Sequence, residues 1–241
     1  MEKILILGCG YVGSALANEI PDAVFTHKSI QKAEERNGIY LNLDDQNSWE
    51  NISAVDDVIW TLPAAPLNLV QEFHKTVLHD CKRIVVYGST SCYLTSKNEE
   101  VVTEEYSLDL NRDRVAGEEY LRKAGATILV LSGIYGPNRE PVNWLRKGLI
   151  RSPEKRVNLI HRDDIVDITL FLLHENRLPE GERINLSDGV GRLWSEISGY
   201  YSIEIKADDT LIKNKIISNQ KLRGLLPESF QFRELYRSSS S

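Results

Sequence analysis

The 241-residue chain has little cysteine, one methionine and no surplus of positive charge. Its cysteines, Cys9, Cys81 and Cys92, are odd in number and widely spaced, without a C-x-x-C pair. We therefore expect free thiols in a reducing compartment rather than a disulfide framework. With 29 Lys and Arg against 35 Asp and Glu, the formal net charge is −6. Neutralising nucleic-acid phosphates requires an excess of cations, so this balance argues against nucleic acid as a partner.

Long hydrophobic runs are also missing. The apolar stretches are far shorter than the roughly 20 residues that a membrane-spanning helix needs, and the N-terminus lacks the pattern of a signal peptide. We therefore expect no membrane partner and a cytoplasmic location. The histidines closest in sequence, His74 and His79, are five residues apart and fall off a shared helix face. No metal site is predicted.

What the chain does contain is an alternation of short β-branched runs with longer amphipathic segments. Six runs predict strands, at Lys3–Gly8, Ala23–His27, Ile39–Leu43, Asp57–Leu62, Arg83–Gly88 and Thr127–Ser132. Strands that alternate with helices predict a parallel sheet with helices on both faces, an α/β fold of the doubly wound Rossmann type. The runs KRIVVYG and TILVLSG are apolar almost throughout, as expected for strands that are buried on both sides.

This alternation changes after Pro137. The stretch EPVNWLRKGLIRSPEKR predicts a helix followed by a basic loop, and the remainder mixes short helices with strands. We therefore expect a Rossmann domain over residues 1–137 and a small C-terminal substrate-binding lobe over 138–237 that interleaves with the main sheet. The terminal serines at 238–241 predict a disordered tail.

Three glycines separate the first predicted strand from the first predicted helix. Gly8, Gly10 and Gly13 form G-x-G-x-x-G in the stretch KILILGCGYVGSALA. In a dinucleotide site the first permits a tight turn, the second leaves room for the pyrophosphate and the third lets the helix pack closely on the strand. Tyr11 and Val12 would open that helix, whose free N–H groups attract phosphate. A glycine-rich turn without a ligand is the alternative, but the strand before and the helix after favour dinucleotide binding.

The end of the second strand indicates which dinucleotide is bound. An acidic side chain there binds the ribose 2′-hydroxyl, whereas a basic one accommodates a 2′-phosphate. The sequence reads FTHKSIQK, so His27 and Lys28 occupy this place and no carboxylate does. NADP is therefore favoured as the cofactor. NAD remains the alternative if both residues are only part of a solvated loop.

Several later segments resemble the extended short-chain dehydrogenase/reductases, the NAD(P)-dependent epimerase/dehydratase family. The matching segments are VVYGSTSCY (85–93), RVAGEEYL (114–121), LSGIYGP (131–137), LIHRDDIVDI (159–168) and RINLSDG (183–189). The first resembles the family's serine/threonine segment after the fifth strand, and the second resembles the helix that follows its active-site tyrosine and lysine. The form of the glycine motif and the stretch KIISNQKLRGLLP are most similar to an atypical subgroup of this family.

The resemblance implies an NAD(P)-dependent oxidoreductase, epimerase or dehydratase that acts on a small carbonyl or sugar-like substrate. It also implies cofactor contacts from several strand ends beyond the glycine loop. These are Asn42 and Leu43 after the third strand, Thr61, Leu62 and Pro63 after the fourth, and Ile134 near the nicotinamide.

Hydride transfer to a carbonyl needs a group that polarises the oxygen and a source of the proton. The hydroxyls of Ser89, Thr90 and Ser91 follow a buried strand, and they should lie at the carboxyl edge of the sheet, where open α/β folds bind ligands. We therefore expect them to contact a substrate oxygen. Ordinary turn capping by hydroxyls is the alternative.

The family's Tyr-x-x-x-Lys dyad is missing from this chain. Alignment on RVAGEE places Leu110 at the tyrosine position and Arg114 at the lysine position. A leucine cannot transfer a proton, whereas Arg114 can still bond ribose hydroxyls. A replacement acid must come from elsewhere. Tyr93 is a candidate close to the serines in sequence, with ring packing against the sheet edge as its alternative, and Tyr106 and His161 are further candidates.

Two questions stay open at this level. A group of basic residues would suit an anionic substrate, although a charged helix face explains it equally well. Its members are Arg146, Lys147, Arg151, Lys155 and Arg156. The absence of the tyrosine also permits a second hypothesis, a non-catalytic NAD(P)-binding redox sensor or regulatory protein. The sequence does not indicate an oligomeric state.

Overall fold

The computed structural model describes residues 3–208 and 213–236, so the predicted disordered tail at 238–241 lies outside the described residues. The described strands are β1 (Ile4–Leu7), β2 (Val24–His27), β3 (Ile39–Tyr40), β4 (Asp57–Trp60), β5 (Arg83–Ser89), β6 (Glu100–Val102), β7 (Thr127–Leu131), β8 (Gly133–Tyr135), β9 (Arg156–His161), β10 (Arg183–Leu186), β11 (Gly191–Leu193) and β12 (Lys215–Ile217).

The α-helices alternate with strands through the first part of the chain. They are α1 (Tyr11–Glu19), α2 (Ile30–Glu35), α3 (Leu67–Val77), α4 (Asp113–Lys123), α5 (Pro141–Arg146), α6 (Arg162–His174), α7 (Trp194–Tyr200) and α8 (Gln220–Leu225). Two 3₁₀ turns cover Gln46–Asn51 and Thr90–Cys92. In the part of the chain that the structure describes, no helix combines the length and the apolar character needed to cross a membrane.

Seven of the described strands form one sheet in the order β10-β7-β5-β4-β1-β2-β3. The pairings of β1 with β2 and β4, of β2 with β3, and of β4 with β5 are parallel. The chain runs outward from β1 to β3 and then returns to place β4 on the other side of β1. Such a reversal opens a crevice at the carboxyl ends of the strands, where doubly wound sheets bind ligands. The predicted Rossmann-type sheet is confirmed.

The six strands predicted from the sequence correspond to β1 to β5 and β7. The largest difference in length is at β3, which ends at Tyr40 rather than at Leu43. The chain turns there because the N–H of Asn42 donates to Ser48 Oγ at 3.0 Å, and the N–H of Asp45 donates to the Asn42 carbonyl at 2.9 Å. The residues that follow β3 therefore form a turn at the carboxyl edge of the sheet.

The chain divides into two compact units, and each is made of three segments. Unit 1 comprises Met1–Cys92, Leu108–Val130 and Asn176–Ile184, and unit 2 comprises Tyr93–Ser107, Leu131–Glu175 and Asn185–Ser241. Unit 1 holds β1 to β5 with helices α1 to α4. Unit 2 contains the three-stranded sheet β11-β9-β8 and the parallel pair of β12 and β6. A core that includes Tyr135, Leu159 and Trp194 stabilises it. The division predicted at residue 137 stays a prediction.

A buried ion pair joins β4 to β5 in unit 1. Asp57 is 1% exposed, and it accepts hydrogen bonds from Nε of Arg83 at 2.7 Å and from Nη2 at 2.5 Å. Removal of one partner of a buried pair leaves the other charge uncompensated. The pair therefore fixes the register of these two neighbouring strands.

We expect Asp57→Ala to lower the free energy of unfolding by about 3 kcal/mol, at the lower end of the range for broken buried pairs, because the Arg83 side chain keeps some contact with solvent. Urea denaturation measures this change. The matched control is Asp80→Ala, since Asp80 is a highly exposed carboxylate of the same unit, and it should leave the urea midpoint unchanged. Equal midpoints for the two variants would contradict the assignment.

Candidate functional site

The loop between β1 and α1 owes its shape to its three glycines. Gly8 has a φ of +95°, a conformation that L side chains rarely adopt. A Cβ built on Gly10 meets no described atom within 4 Å, so the space before it is open. A Cβ on Gly13 would lie 2.0 Å from the carbonyl oxygen of Gly8, so only glycine lets α1 pack this closely. These features fit the turn, pyrophosphate and packing roles of a dinucleotide loop.

The first turn of α1 presents backbone donors to this open space. Tyr11 and Val12 open the helix, and Gly10 at the N-cap contributes no side-chain hydrogen bond. The first N–H groups of a helix have no acceptor within it, and they carry the positive end of the helix dipole. Tyr11 and Val12 are not among the residues that line the adjacent cavity. The Val12 side chain is buried, and that of Tyr11 is half-buried. Their contribution to a ligand would come from the backbone.

Thr61 holds the glycine loop from the neighbouring strand. Its hydroxyl lies 2.6 Å from the carbonyl oxygen of Gly8 and 3.0 Å from that of Leu7. From the other side, Thr26 Oγ1 accepts the N–H of Gly8 at 2.9 Å. Thr61 was predicted as a cofactor contact, and the structure gives it a place behind the loop rather than in the cavity lining. Its observed contacts position the loop.

A cavity of about 700 Å³ opens beside the loop within unit 1. The predicted cofactor residues that line it are Gly8, Gly10, His27, Lys28, Asn42, Leu43, Leu62 and Pro63. Lining residues that the sequence reasoning did not single out include Cys9, Ser14, Ser29, Lys32, Arg36 and Asp44. The cavity volume lies in the range of small-molecule and cofactor sites. The loops after β1, β2, β3 and β4 thus contribute to one cavity.

Three cations, Lys28, Lys32 and Arg36, give this cavity a net positive wall, although the carboxylates Glu35 and Asp44 also line it. Lys32 lies within α2, and Lys28 and Arg36 lie just before and after this helix. They follow one another at intervals of four residues, and all three side chains line the same cavity. This spacing is the sequence signal that could have identified Lys32 and Arg36, which the analysis of the strand end alone missed.

The cations of this wall have different surroundings. Nη1 of Arg36 lies 3.3 Å from Ser14 Oγ, which brings the guanidinium to the first turn of α1. The ammonium of Lys28 lies 3.5 Å from a carboxylate oxygen of Asp44, and both side chains are largely exposed. An exposed pair of this kind contributes little to stability. Lys28 can therefore exchange Asp44 for an anionic ligand at small cost.

His27 contributes a side chain that is mostly uncharged at neutral pH. It is buried, and its Nε2 has no hydrogen-bond partner among the described residues. Burial, together with the nearby charges of Arg36 and Lys32, holds the pKa of the imidazole below its ordinary value. The positive charge of the cavity therefore comes from Lys28, Lys32 and Arg36 rather than from His27.

The serine segment lies at the carboxyl end of β5, also in unit 1. Ser89 Oγ accepts the N–H of Ser91 at 3.3 Å and lies 3.1 Å from Ser91 Oγ. When Ser91 donates in this pair, the Ser89 proton has no acceptor in the described part of unit 1. Ser89 and Thr90 are half-buried, and Ser91 is exposed. The structure thus brings Ser89 and Ser91 together and leaves a hydroxyl donor at the sheet edge.

Arg114 lies beside the same strand end. Its Nε donates to Glu118 Oε1 at 2.7 Å, and its Nη2 donates to the carbonyl oxygen of Tyr87 at 2.9 Å. The side chain is 38% exposed, so the guanidinium is also accessible from solvent. Leu110, at the position of the family tyrosine, is an exposed side chain of the turn before α4. The arginine at the lysine position is thus held near the serines, and no hydroxyl replaces the tyrosine at position 110.

The remaining predicted site residues belong to unit 2. Tyr93 is buried, and its hydroxyl lies 2.6 Å from Asn185 Oδ1. Ile134 is half-buried in β8, where it pairs with Ile160 of β9. These contacts give both residues structural roles within unit 2. Their predicted contacts with substrate and cofactor stay predictions.

The further acid candidates are also engaged within unit 2. The Tyr106 hydroxyl bonds to Glu100. His161 caps α6, because its Nδ1 accepts the N–H of Asp163 at 3.1 Å, and burial holds the pKa of the ring below its ordinary value. Use of either residue as an acid would disturb a contact that the fold already makes. In residues 3–208 and 213–236, no group of three or more His, Cys, Asp or Glu residues is placed to hold a metal ion.

Comparisons with known proteins agree with this fold. No protein-family model matches the chain. Protein YeeZ of Escherichia coli strain K12 is 28% identical over 213 residues, which cover 76% of each protein. A putative NAD-dependent epimerase/dehydratase from Methylobacillus flagellatus superposes with a TM-score of 0.74 at 22% identity, covering 92% of this chain and 91% of that one.

A second solved structure is the UDP-glucuronic acid 4-epimerase from Bacillus cereus in complex with NAD. It superposes with a TM-score of 0.74 at 16% identity and covers 97% of this chain and 93% of that one. The structural neighbours are thus NAD-dependent epimerase/dehydratase and short-chain dehydrogenase/reductase superfamily proteins. The resemblance predicted from the sequence segments is confirmed at the level of the fold.

Proposed function

We propose that this chain, which has the fold of the NAD-dependent epimerases and dehydratases, binds NADP in unit 1 and uses it for redox chemistry on a sugar-nucleotide-like substrate. The observation that carries the proposal is the open space before Gly10, next to a helix N-terminus without a side-chain cap. Backbone donors and a partial positive charge directed at an open space suit a pyrophosphate. The cavity beside this space offers room for the adenosine portion.

The strand order suggests how a dinucleotide would extend across the site. The loops after β2 and β3 line the cavity on one side of the glycine loop, and β4 and β5 follow β1 on its other side. A dinucleotide with its adenosine in the cavity and its pyrophosphate on α1 would therefore direct its nicotinamide half toward the ends of β4 and β5. Ser89 and Arg114 lie at this second position.

The preference for NADP over NAD is supported by the charges of the cavity wall. Lys28, Lys32 and Arg36 line it, whereas His27 occupies the strand end where an acidic residue would select NAD. The solved neighbours named above are NAD-dependent by name or contain NAD, so this preference would distinguish the chain from them. A guanidinium and ammonium groups suit a 2′-phosphate, which carries most of its charge at neutral pH.

A nicotinamide cofactor, when bound, donates or accepts the hydride. In this proposal the Ser89 hydroxyl hydrogen-bonds the substrate oxygen at which charge develops, and Ser91 orients that hydroxyl. Arg114 holds ribose hydroxyls of the cofactor. The substrate class is taken from the neighbours, because the epimerase from Bacillus cereus is named for a UDP-sugar. The cations Arg146, Lys147, Arg151 and Lys155 are exposed in unit 2, and their contact with an anionic substrate stays a prediction.

The function is tested by binding and turnover measured on the same preparation. We expect NADPH to quench the fluorescence of the chain's four tryptophans with a lower dissociation constant than NADH. Oxidation of NADPH should then occur with at least one small carbonyl compound or UDP-keto-sugar of a panel, or reduction of NADP⁺ should occur with at least one UDP-sugar whose secondary alcohol donates the hydride. Failure of both nucleotides to bind would reject the proposed function.

Ser89→Ala should lower kcat on any active substrate by about 100-fold or more, the effect of removing one donor to a developing oxyanion. NADPH affinity should stay unchanged, since Ser89 does not line the cavity beside the glycine loop. Ser91→Ala serves as the matched control, with a smaller loss expected because Ser91 acts only on Ser89. An Ser89→Ala enzyme with wild-type kcat would exclude this role.

The alternative function is a redox sensor or regulatory protein that binds the nucleotide without turnover. It is favoured by Leu110, which is 56% exposed at the position of the family's proton donor. Tight nucleotide binding without conversion of any member of the panel, whether by net oxidation, net reduction or isomerisation, would support this alternative. The binding experiments are therefore informative for either function.

A further inference from the structure

Helix α4 contains a buried carboxylate that the proposed chemistry does not use. Glu118 is 2% exposed, and the guanidinium of Arg114, one helical turn earlier, is its ion-pair partner. Burial raises the pKa of the Glu118 carboxyl, and the charge of Arg114 opposes that shift. A buried ion pair is often no more stable than apolar residues of the same volume. Stability alone is therefore a weak explanation for this pair.

Glu118 packs directly beneath the end of β5. A Cβ built on Gly88 would lie 2.8 Å from Glu118 Oε2, so a glycine at this position leaves room for the carboxylate. On one side of Gly88, the carbonyl of Tyr87 accepts the second hydrogen bond of Arg114, and on the other side Ser89 begins the serine segment. The carboxylate and the strand thus hold the guanidinium from two directions, beside the candidate catalytic hydroxyl.

These two contacts leave most of the guanidinium available. Of its five N–H donors, Nε is used by Glu118 and one on Nη2 is used by Tyr87. The other three have no partner in the described residues. An unrestrained arginine side chain loses rotamer entropy when it is ordered. Because Glu118 and Tyr87 order Arg114 during folding, a ligand would not have to order it on binding.

We propose that Glu118 is a positioning residue that fixes Arg114 so that its remaining N–H donors face the ribose on the nicotinamide side of the dinucleotide. The inference rests on the proposed function. In this inference, the Glu118 carboxylate affects the binding of the nicotinamide half of the dinucleotide. The adenosine half contacts a different part of unit 1, the cavity lined by Lys32 and Arg36.

The chain supplies a matched control at the next position. Glu119 is also a partly buried carboxylate of α4, but it pairs with Arg122 and Arg183. Arg122 in turn donates to the carbonyl of Gly181 at 2.6 Å, so this set joins α4 to the segment before β10. Glu119 is therefore a structural carboxylate on the same helix. Its replacement measures how much the loss of an ion pair on α4, without any effect on Arg114, changes the affinity for the cofactor.

The test compares a whole cofactor with a fragment that lacks the nicotinamide ribose. Calorimetry would measure the affinities of NADPH and of adenosine 2′,5′-bisphosphate for the full chain and its variants. We expect Glu118→Gln to weaken NADPH about 5-fold or more and to leave the fragment unchanged within about twofold, because the amide keeps the shape but loses the charge-assisted bond. Glu119→Gln should change neither affinity.

A double-mutant cycle shows whether Glu118 acts through Arg114. In the Arg114→Ala background, Glu118→Gln should cause no further loss of NADPH affinity. Three results would overturn the inference. Glu118→Gln could lose affinity equally for NADPH and for the fragment, or it could bind NADPH with wild-type affinity. In the Arg114→Ala background, Glu118→Gln could still lower NADPH affinity as much as it does in the wild type. If Glu118→Gln fails to fold, Glu118→Asp keeps the charge and is judged by the same comparison.

The wild-type chain separates this inference from the proposed function. Absence of NADPH and NADH binding in the wild type would reject the proposed function itself. If the wild type prefers NADH, the same comparison uses NADH against ADP. NADPH binding by the wild type, without a selective loss in Glu118→Gln, would leave the proposed function standing and reject only the role of Glu118.

Discussion

Gly10→Ala is expected to abolish NADPH binding, with a loss of affinity of about 100-fold or more, while the chain keeps its wild-type thermal stability. The backbone φ of Gly10 is −83°, which an alanine adopts without strain, and no described atom lies within 4 Å of the added Cβ. The methyl group would instead occupy the space through which the pyrophosphate approaches the N–H groups of α1. Calorimetry with NADPH and thermal unfolding measure the two properties.

Two further glycines distinguish loss of the site from loss of the fold. Gly13→Ala should lower the melting temperature, because its Cβ would lie 2.0 Å from the Gly8 carbonyl oxygen. Gly199→Ala should leave NADPH affinity unchanged and should not lower the melting temperature, since Gly199 lies in α7 of unit 2, where alanine is the better helix former and the added Cβ meets no clash. NADPH binding by Gly10→Ala at wild-type affinity would show that the glycine loop does not hold a pyrophosphate.

Arg36→Met is expected to weaken NADPH by about 10-fold to 100-fold and to leave NADH nearly unchanged. Hydrogen bonds to charged groups contribute about 1.5–3 kcal/mol, and about 1.4 kcal/mol corresponds to a factor of ten in affinity. Arg36 lines the cavity and reaches Ser14 in the first turn of α1, so it lies between the end of β2 and the glycine loop. Calorimetry with both nucleotides gives the ratio of affinities directly.

The matched control for Arg36 is Lys75→Met. Lys75 is an exposed cation on α3 of the same unit and does not line the cavity. Lys75→Met removes the same charge from the molecule, and it should change the affinity for neither NADPH nor NADH. A parallel loss of NADPH and NADH affinity in Arg36→Met would mean that this arginine contacts a part common to both cofactors. The preference for NADP would then lose its main support.

Much of the cavity beside the glycine loop could be predicted from the sequence, because local patterns determine it. The three glycines lie within six residues of each other, directly after an apolar strand and before an amphipathic helix. Lys28, Asn42, Leu43, Leu62 and Pro63 follow strands, so the parallel topology brings them to one edge of the sheet. Lys32 and Arg36 also line the cavity and were missed, although they follow Lys28 at intervals of four residues.

Other parts of the site depend on residues that are distant in the chain. Thr61 was predicted to contact the cofactor, and its partner in the structure is Gly8, 53 residues away. Tyr93 was one candidate for a replacement acid, with packing at the sheet edge as its alternative, and its hydroxyl contacts Asn185, 92 residues away. No periodicity or motif predicts a side-chain hydrogen bond across such separations, because it forms only when both segments have taken their places in the fold.

The sequence by itself determined the parallel α/β sheet and the glycine loop, since strand pattern, turn chemistry and helix dipole act over a few residues. Only the tertiary structure decided which charged side chains are accessible to a ligand. In the sequence, Glu118 and Arg114 form an ordinary i, i+4 pair on a helix. In the structure, packing beneath Gly88 buries the carboxylate, and the Tyr87 carbonyl orients the arginine. Burial and hydrogen-bond direction arise from the assembled sheet, which is why they could not be read from the chain.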